Sequence, residues 1–212
     1  MFIENKIVYE TYVDSLFSRD YYGEKWASWW LDLARYSDSK GYETDRGRNI
    51  WEYRDWVIKS LNKDLPFDEF TIQQIAGDLL PNPSYDQLLA TAFHRNTMNN
   101  DEGGTNDEEY RVAAVIDRVN TTFDVWQSTT MGCVQCHDHP YDPIRLKEYY
   151  QLLSFFNNTR DEDLMGESPN LRSYSKKVEN KIDKVLGFIS EKTDKQTLNI
   201  YRNFFKYLEP KY

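Results

Sequence analysis

Gly132-Cys133-Val134-Gln135-Cys136-His137-Asp138-His139-Pro140 is the stretch on which the interpretation of this 212-residue chain depends. It contains both cysteines of the chain and two of its three histidines. Cys-x-x-Cys-His is the attachment signal of a c-type haem. Two thiols three residues apart can form thioethers with the two vinyl groups on one edge of a porphyrin, and the next residue can ligate the iron. We therefore predict that Cys133 and Cys136 attach haem c and that His137 is the proximal ligand.

Two other chemistries fit the same residues. Cys133, Cys136 and His137, together with His139, supply the sulfur and nitrogen ligands that zinc or another transition metal takes. Four ligands within seven residues would require a very tight loop, however, and structural zinc sites usually use two separate chain segments. A redox disulfide normally starts a helix after a strand in a thioredoxin-like unit, and the sequence contains no such unit.

The sixth iron ligand has to come from elsewhere in the chain. His139 is only two residues from His137, and a two-residue link spans about 7 Å, too little to pass around a macrocycle. We expect His139 to orient a carboxylate, a propionate or His137 instead. His94, Met98 and Met165 are the remaining candidates, His94 giving a low-potential site and Met98 a higher-potential one. If none reaches, the iron is five-coordinate and open to a small ligand or peroxide.

Helical periodicity dominates the sequence on both sides of the motif, and no segment requires a sheet. The longest predicted helix covers about 107–130 and leads directly into Cys133. We predict a mostly α fold, an irregular helical domain with long loops and a CxxCH motif following a long helix. Ser84 is the predicted N-cap of the helix over 85–95. The other predicted helices cover 10–19, 26–33, 50–61, 70–80, 148–157, 174–189 and 193–208.

Four apolar residues of the second helix recur at i, i+3, i+4 and i+7, namely Trp26, Trp29, Trp30 and Leu33. Such a stripe is what an amphipathic helix buries. We therefore predict that it packs in the core rather than forming a haem-facing or sugar-stacking wall.

Two polar segments are predicted to be connections. The segment 38–49 contains Gly41 and Gly47 and is typical of a loop. The acidic stretch 99–104 is a tight turn without the regular spacing of a calcium loop. An alternative function uses these segments in a metal-dependent or hydrolytic enzyme domain, with the cysteine pair as structural metal ligands or a disulfide. Its pocket would be formed by Asp38, Asp45, His94, Asp101 and His139.

Composition limits the partners of the chain. The formal net charge is −9, and an acidic surface repels phosphate backbones, so we predict no nucleic-acid binding. No apolar run approaches the length of a membrane span, and the first residues lack the apolar region of a signal peptide. Haem c is attached outside the cytoplasm. We therefore expect a fragment of a longer exported protein, periplasmic or extracellular, that meets a redox partner or neighbouring domains.

Nine motifs of this chain resemble a known family, the domain of unknown function 1549, which is a cytochrome c-like domain of large exported proteins in planctomycetes and Bacteroidetes. The similarity runs from about residue 10 to 172. The motifs are Tyr21–Trp26, Ala34–Glu43, Tyr53–Ile58, Phe67–Thr71, Ile75–Leu80, Phe93–Asn96, Glu102–Gly104, Ile116–Thr122 and Gly132–Ile144.

The resemblance implies that Cys133, Cys136 and His137 belong to a haem-type motif. It also implies neighbouring domains, because members usually carry a haem-type domain upstream and an uncharacterised domain downstream. We predict a cytochrome c-like domain of unknown function over 1–173 and a Lys-rich helical segment over 174–212. Haem c binding and electron transfer form the leading prediction. The resemblance assigns no activity, so the enzyme alternative stays beside it.

Overall fold

The computed structural model of the chain describes residues 6–100, 102–159, 169–174 and 176–207. These residues contain no β-strand, only one isolated bridge between Ser39 and Gly47. The predicted mostly α-helical fold is confirmed. Over the described ranges the α-helices are α1 Lys6–Phe17, α2 Tyr21–Leu33, α3 Trp51–Asn62, α4 Phe67–Ala76, α5 Tyr85–Ala90, α6 Asp107–Gln127, α7 Leu146–Asn157, α8 Lys176–Ser190 and α9 Lys195–Tyr207.

Several helices end earlier than the periodicity predicts. α6 stops at Gln127 rather than Thr130, because Ser128 adopts a left-handed conformation with φ of +52° and its N–H bonds back to the Phe123 carbonyl. The predicted helices over 70–80 and 85–95 each finish as a 3-10 helix, Gly77–Leu79 and Thr91–Arg95. Apolar spacing continues through both kinds of helix, so it does not mark the change.

The predicted cap of α5 is confirmed. The Ser84 hydroxyl accepts the Gln87 backbone N–H at 3.2 Å, and the Gln87 side chain accepts the Ser84 N–H at 2.9 Å. This reciprocal pair is a capping box, which satisfies two N–H groups that a helix start leaves without partners. α5 therefore begins where its sequence predicts.

The chain divides into two compact units, Met1–Glu167 and Ser168–Tyr212. The first unit contains α1 to α7, and the second contains α8 and α9. The proposed limits of a cytochrome c-like domain at residue 173 stay a prediction.

α2 packs on α3 through small residues. A side chain at Gly23 would lie 2.6 Å from the Asn62 side chain and from the Ile58 carbonyl, so only glycine allows this approach. The Gly23 N–H also donates to Asn62 Oδ1 at 2.8 Å. Ala27 of α2 and Ala34, the residue that follows the helix, are also buried. A helix face with small side chains lets two backbones come close, and here it decides which side of α2 turns inward.

This choice makes the predicted burial of the tryptophan stripe wrong for three of its four residues. Trp26, Trp29 and Leu33 are 43%, 53% and 53% exposed. Trp30 alone joins the core, where its Nε1–H donates to Gln74 Oε1 at 2.9 Å and its ring lies 4.8 Å from that of Phe70. The side of α2 that carries Gly23 and Ala27 is buried, instead of the side that carries the larger apolar residues.

A second buried cluster lies around the CxxCH motif. It consists of Val119 from α6, Met131 and Val134 from the segment after α6, and Tyr149 from α7. All four side chains have no exposed surface. The Tyr149 hydroxyl donates to Asn120 Oδ1 at 3.1 Å, which ties α7 to α6. The motif is thus fixed between two helices by its own apolar residues.

Candidate functional site

The CxxCH turn presents its reactive groups outward and its apolar residues inward. Gly132–Gln135 is a 3-10 helix, closed by the Val134 N–H on the Met131 carbonyl at 3.0 Å. Val134 lies between the two cysteines in sequence and is fully buried, whereas both cysteines are exposed. Both thiols are free. Alternation along this tight turn therefore places two thiols that share no disulfide at the surface, above an apolar base.

His137 has one ring nitrogen engaged. Its Nδ1 lies 2.7 Å from the backbone carbonyl oxygen of Asp138. A carbonyl only accepts, so this bond assigns the proton to Nδ1 and leaves the lone pair on Nε2. An imidazole held in this way is prepared to ligate a metal through Nε2. The side chain is exposed, as are the two thiols.

Asp138 was not among the predicted site residues, yet it connects the motif to α7. Its carboxylate oxygen Oδ1 accepts the backbone N–H of Leu146, the first residue of α7, at 2.8 Å. The side chain of Asp138 thus satisfies one N–H at the start of α7, while the backbone carbonyl of Asp138 accepts from His137. An aspartate at a helix start is a known sequence signal, but here eight residues separate it from the N–H that it caps.

His139 has the opposite tautomer. Its Nδ1 accepts the backbone N–H groups of Tyr141 at 3.3 Å and Asp142 at 2.9 Å. Two donors aimed at Nδ1 require its lone pair, so the proton of the neutral ring lies on Nε2. The Asp142 carboxylate is 3.2 Å from the same nitrogen, and the His139 side chain is only 6% exposed. His139 stabilises the turn after the motif and, in this arrangement, offers no free lone pair to a metal.

His94, the predicted distal ligand, is partly buried, and both of its ring nitrogens are enclosed. Neither ring nitrogen has a hydrogen-bond partner, and the ring packs between Phe93 and Phe156 at centroid distances of 5.1 and 4.9 Å. Burial, and then the positive charge of Arg118, lower the pKa of His94 to about 3, although the Ile75 carbonyl acts in the other direction. The imidazole is therefore neutral throughout the physiological range. A bond to iron at the exposed thiols would require His94 to leave this packing.

Two arginines hold the backbone on which His94 lies. Arg118 Nε donates to the His94 carbonyl at 2.8 Å. Arg48 Nη1 donates to the carbonyls of Arg95 and Thr97 at 3.0 and 2.9 Å. Sequence reasoning did not assign these arginines a role, because their partners are backbone atoms far away in the chain. Segment 94–97 is consequently fixed by side chains from the loop before α3 and from α6.

Of the methionine candidates, Met98 contacts the loop before α3 and Met165 falls outside the described residues. Met98 is half exposed, and its side chain lies directly over Gly41, where an added Cβ would meet it at 2.9 Å. Gly41 has a φ of +78°, so both the space and the backbone conformation favour glycine there. Met165 and Asp101 fall outside the described residues.

The residues of the alternative enzyme pocket have separate local roles. Asp38 accepts the Tyr36 hydroxyl at 2.5 Å, and Asp45 accepts the Gly41 N–H at 2.8 Å. The Ser39 hydroxyl and that N–H hold the pKa of Asp45 below its usual value. In the described part of the chain, the hydrogen bonds and ring contacts of His94 and His139 go to other residues and not to these carboxylates. Both aspartates thus organise the loop before α3.

No three His, Cys, Asp or Glu side chains among the described residues are grouped to hold a metal ion. A cavity of about 240 Å³ lies between α3, α4 and α5, and it is lined by Trp56, Ser60, Lys63, Leu65, Gln73, Ser84, Asp86 and Gln87, not by motif residues. Over the same described ranges, no helix has both the length and the apolar character that crossing a bilayer requires.

The comparisons with known proteins identify a family and nothing further. No curated protein and no solved structure matches the chain. The family profile described as PSCyt2, Protein of unknown function (DUF1549), matches residues 1–161, which include α1 to α7 and the whole CxxCH turn. The chain therefore belongs to the PSCyt2 family of proteins of unknown function (DUF1549).

Proposed function

We propose that this chain attaches haem c covalently through Cys133 and Cys136, ligates its iron with His137, and transfers electrons. The single observation that supports this most is the state of His137. Its Nδ1–H is bonded to the Asp138 carbonyl at 2.7 Å, so Nε2 carries the free lone pair. The short name of the family, PSCyt2, agrees with a cytochrome-like role.

The residues of the turn fit the chemistry of attachment. Thioether formation needs two reduced thiols that a porphyrin edge can approach, and both cysteines are free and exposed. The turn must also keep its shape while haem binds. Val134 and Met131, both fully buried, hold it against α6 and α7 from below.

Haem, when bound, would supply the one-electron redox chemistry that protein side chains lack. The protein would hold it by two covalent bonds and one axial imidazole. Because all three groups lie at the surface, a haem edge would be open to a partner at short range. The formal charge of −9 favours a basic redox partner. Attachment outside the cytoplasm follows from the same proposal.

The test is expression of the chain with an export signal and a c-type haem maturation system, followed by a pyridine haemochrome spectrum of the purified, denatured protein. We expect the absorption of a haem joined through two thioethers. Cys133→Ser and Cys136→Ser should each shift that spectrum towards one thioether, and the double substitution should abolish covalent haem. His137→Ala should keep some attachment but lose the axial ligand.

A chain that is folded, exported and free of covalent haem would contradict the proposal. Zinc or iron bound stoichiometrically to such a sample, and lost in the Cys133→Ser, Cys136→Ser double variant, would instead assign the turn to a metal. Asp142→Asn is the matched control, because it changes the same turn without touching the thiols or His137.

A further inference from the structure

We infer that Asp138 is a positioning residue for His137, and that it couples the orientation of this imidazole to the start of α7. The effect of Asp138 on the iron rests on the proposed function. Its effect on the orientation and tautomer of His137 does not, because it concerns the haem-free protein.

Asp138 makes two hydrogen bonds, one through its backbone carbonyl and one through its side chain, so fixing one restricts the other. Its carbonyl oxygen accepts the His137 Nδ1–H at 2.7 Å, and its carboxylate Oδ1 accepts the Leu146 N–H at 2.8 Å. The carboxylate is thus anchored to the N-terminus of a twelve-residue helix. With the side chain anchored, the peptide that carries the carbonyl can rotate little, and the acceptor of His137 stays in place.

The α7 end of this connection is rigid. Tyr149, one turn into α7, is fully buried and bonded to Asn120 of α6. The Tyr150 hydroxyl donates to the carbonyl of Gln135, inside the CxxCH turn, at 3.0 Å. α7 therefore contacts the motif on both sides of His137, through Tyr150 before it and through Asp138 after it.

The consequence is a fixed tautomer. An exposed histidine in water exchanges between two neutral tautomers, and only the one with the proton on Nδ1 offers Nε2 to iron. A carbonyl that accepts from Nδ1–H also makes the imidazole a stronger electron donor. Stronger donation stabilises the ferric state and lowers the reduction potential. Asp138 would thereby act on the iron without touching it.

Three substitutions separate geometry from charge. Asp138→Asn keeps an acceptor oxygen for Leu146 and removes the negative charge. Asp138→Glu keeps the charge and displaces the acceptor by one methylene. Asp138→Ala removes both. Far-UV circular dichroism and the unfolding midpoint show whether each variant is folded, and the asparagine variant is expected to fold like the parent.

The first measurement uses haem-free protein, so it does not depend on the proposed function. Long-range ¹H–¹⁵N spectra at alkaline pH resolve the side chains of the three histidines. We expect His137 as the Nδ1–H tautomer and His139 as the Nε2–H tautomer, which makes His139 an internal control. His137 should keep its tautomer in Asp138→Asn and become a mixture in Asp138→Glu and Asp138→Ala. A wild-type His137 protonated on Nε2, or one indifferent to all three substitutions, overturns the inference.

The second measurement uses haem-loaded protein. In Asp138→Ala the iron–imidazole stretching frequency should fall and the reduction potential should rise. In Asp138→Asn the frequency should stay at the wild-type value while the potential rises from the loss of charge alone. An unchanged frequency in Asp138→Ala overturns the inference. Failure of haem to attach contradicts the proposed function, and the spectra of the haem-free protein then decide the role of Asp138 alone.

Discussion

His137 and His94 belong to the same unit of the chain and occupy opposite environments. His137 is exposed, bonded at Nδ1 and open at Nε2, above an apolar base. His94 is enclosed by aromatic rings, and neither of its nitrogens has a partner. The same side chain therefore has an open ring nitrogen in one place and is held neutral, with both nitrogens enclosed, in the other. Environment, more than residue type, decides which histidine is a credible iron ligand.

The largest effect should come from charging the apolar base of the exposed site. Val134→Asp places a carboxylate where no surface is exposed, in the apolar cluster with Val119, Met131 and Tyr149. An uncompensated buried charge costs about 3–5 kcal/mol. We expect this variant to lose most of its free energy of unfolding, measured by urea denaturation, and to lose haem attachment with it.

Gln135→Asp is the matched control, because the neighbouring residue is only half buried. Its free energy of unfolding should change by less than about 0.5 kcal/mol. Equal losses in the two variants would mean that Val134 does not support the turn.

The buried histidine should make stability depend on pH. Its pKa falls from the usual 6.5 to about 3 in the folded protein. Below pH 6.5 the unfolded chain binds a proton at His94 that the folded chain refuses, so stability is lost as the pH falls from about 6.5 towards 3. The slope from this one group is about 1.4 kcal/mol per pH unit. Urea denaturation between about pH 6.5 and pH 4.5 measures it.

His94→Phe isolates this contribution, because every carboxylate titrates in both proteins. The difference in unfolding free energy between wild type and His94→Phe should grow steadily as the pH is lowered across that interval. A constant difference would show that His94 is protonated in the folded protein, and the burial argument would then be wrong.

At neutral pH the same substitution should stabilise the protein. Phenylalanine keeps the ring between Phe93 and Phe156 and removes two nitrogens that are buried without partners. An unsatisfied buried polar group costs about 1–3 kcal/mol, so His94→Phe should raise the free energy of unfolding by about 1–2 kcal/mol. A loss of stability would indicate that the Ile75 carbonyl or an ordered water satisfies these nitrogens.

The smallest effect is expected at the exposed histidine. His137→Phe removes one surface hydrogen bond to a backbone carbonyl, so the unfolding free energy of haem-free protein should change by less than about 0.5 kcal/mol. Axial ligation of haem should be lost in the same variant. A large loss of unfolding free energy in the haem-free variant would mean that His137 is a structural residue rather than an iron ligand.

The sequence predicted the helical class and the cap at Ser84, because these depend on local spacing. It failed for Trp26 and Trp29, because apolar spacing does not reveal that glycine and alanine on the adjacent face allow α3 to approach closer. The sequence also did not predict the two hydrogen bonds of Asp138, or those of Arg48 to the carbonyls of residues 95 and 97. Those contacts join distant positions through backbone atoms, which leave no pattern in the side chains.

The most direct test of the account is peptide mapping of the exported, matured protein by mass spectrometry. We predict one haem, carried covalently by the proteolytic peptide that contains Cys133, Cys136 and His137, and no haem on any peptide of the Cys133→Ser, Cys136→Ser double variant. Recovery of that wild-type peptide with two free thiols or with a disulfide, from folded protein matured beside a control cytochrome that does receive haem, would contradict the account.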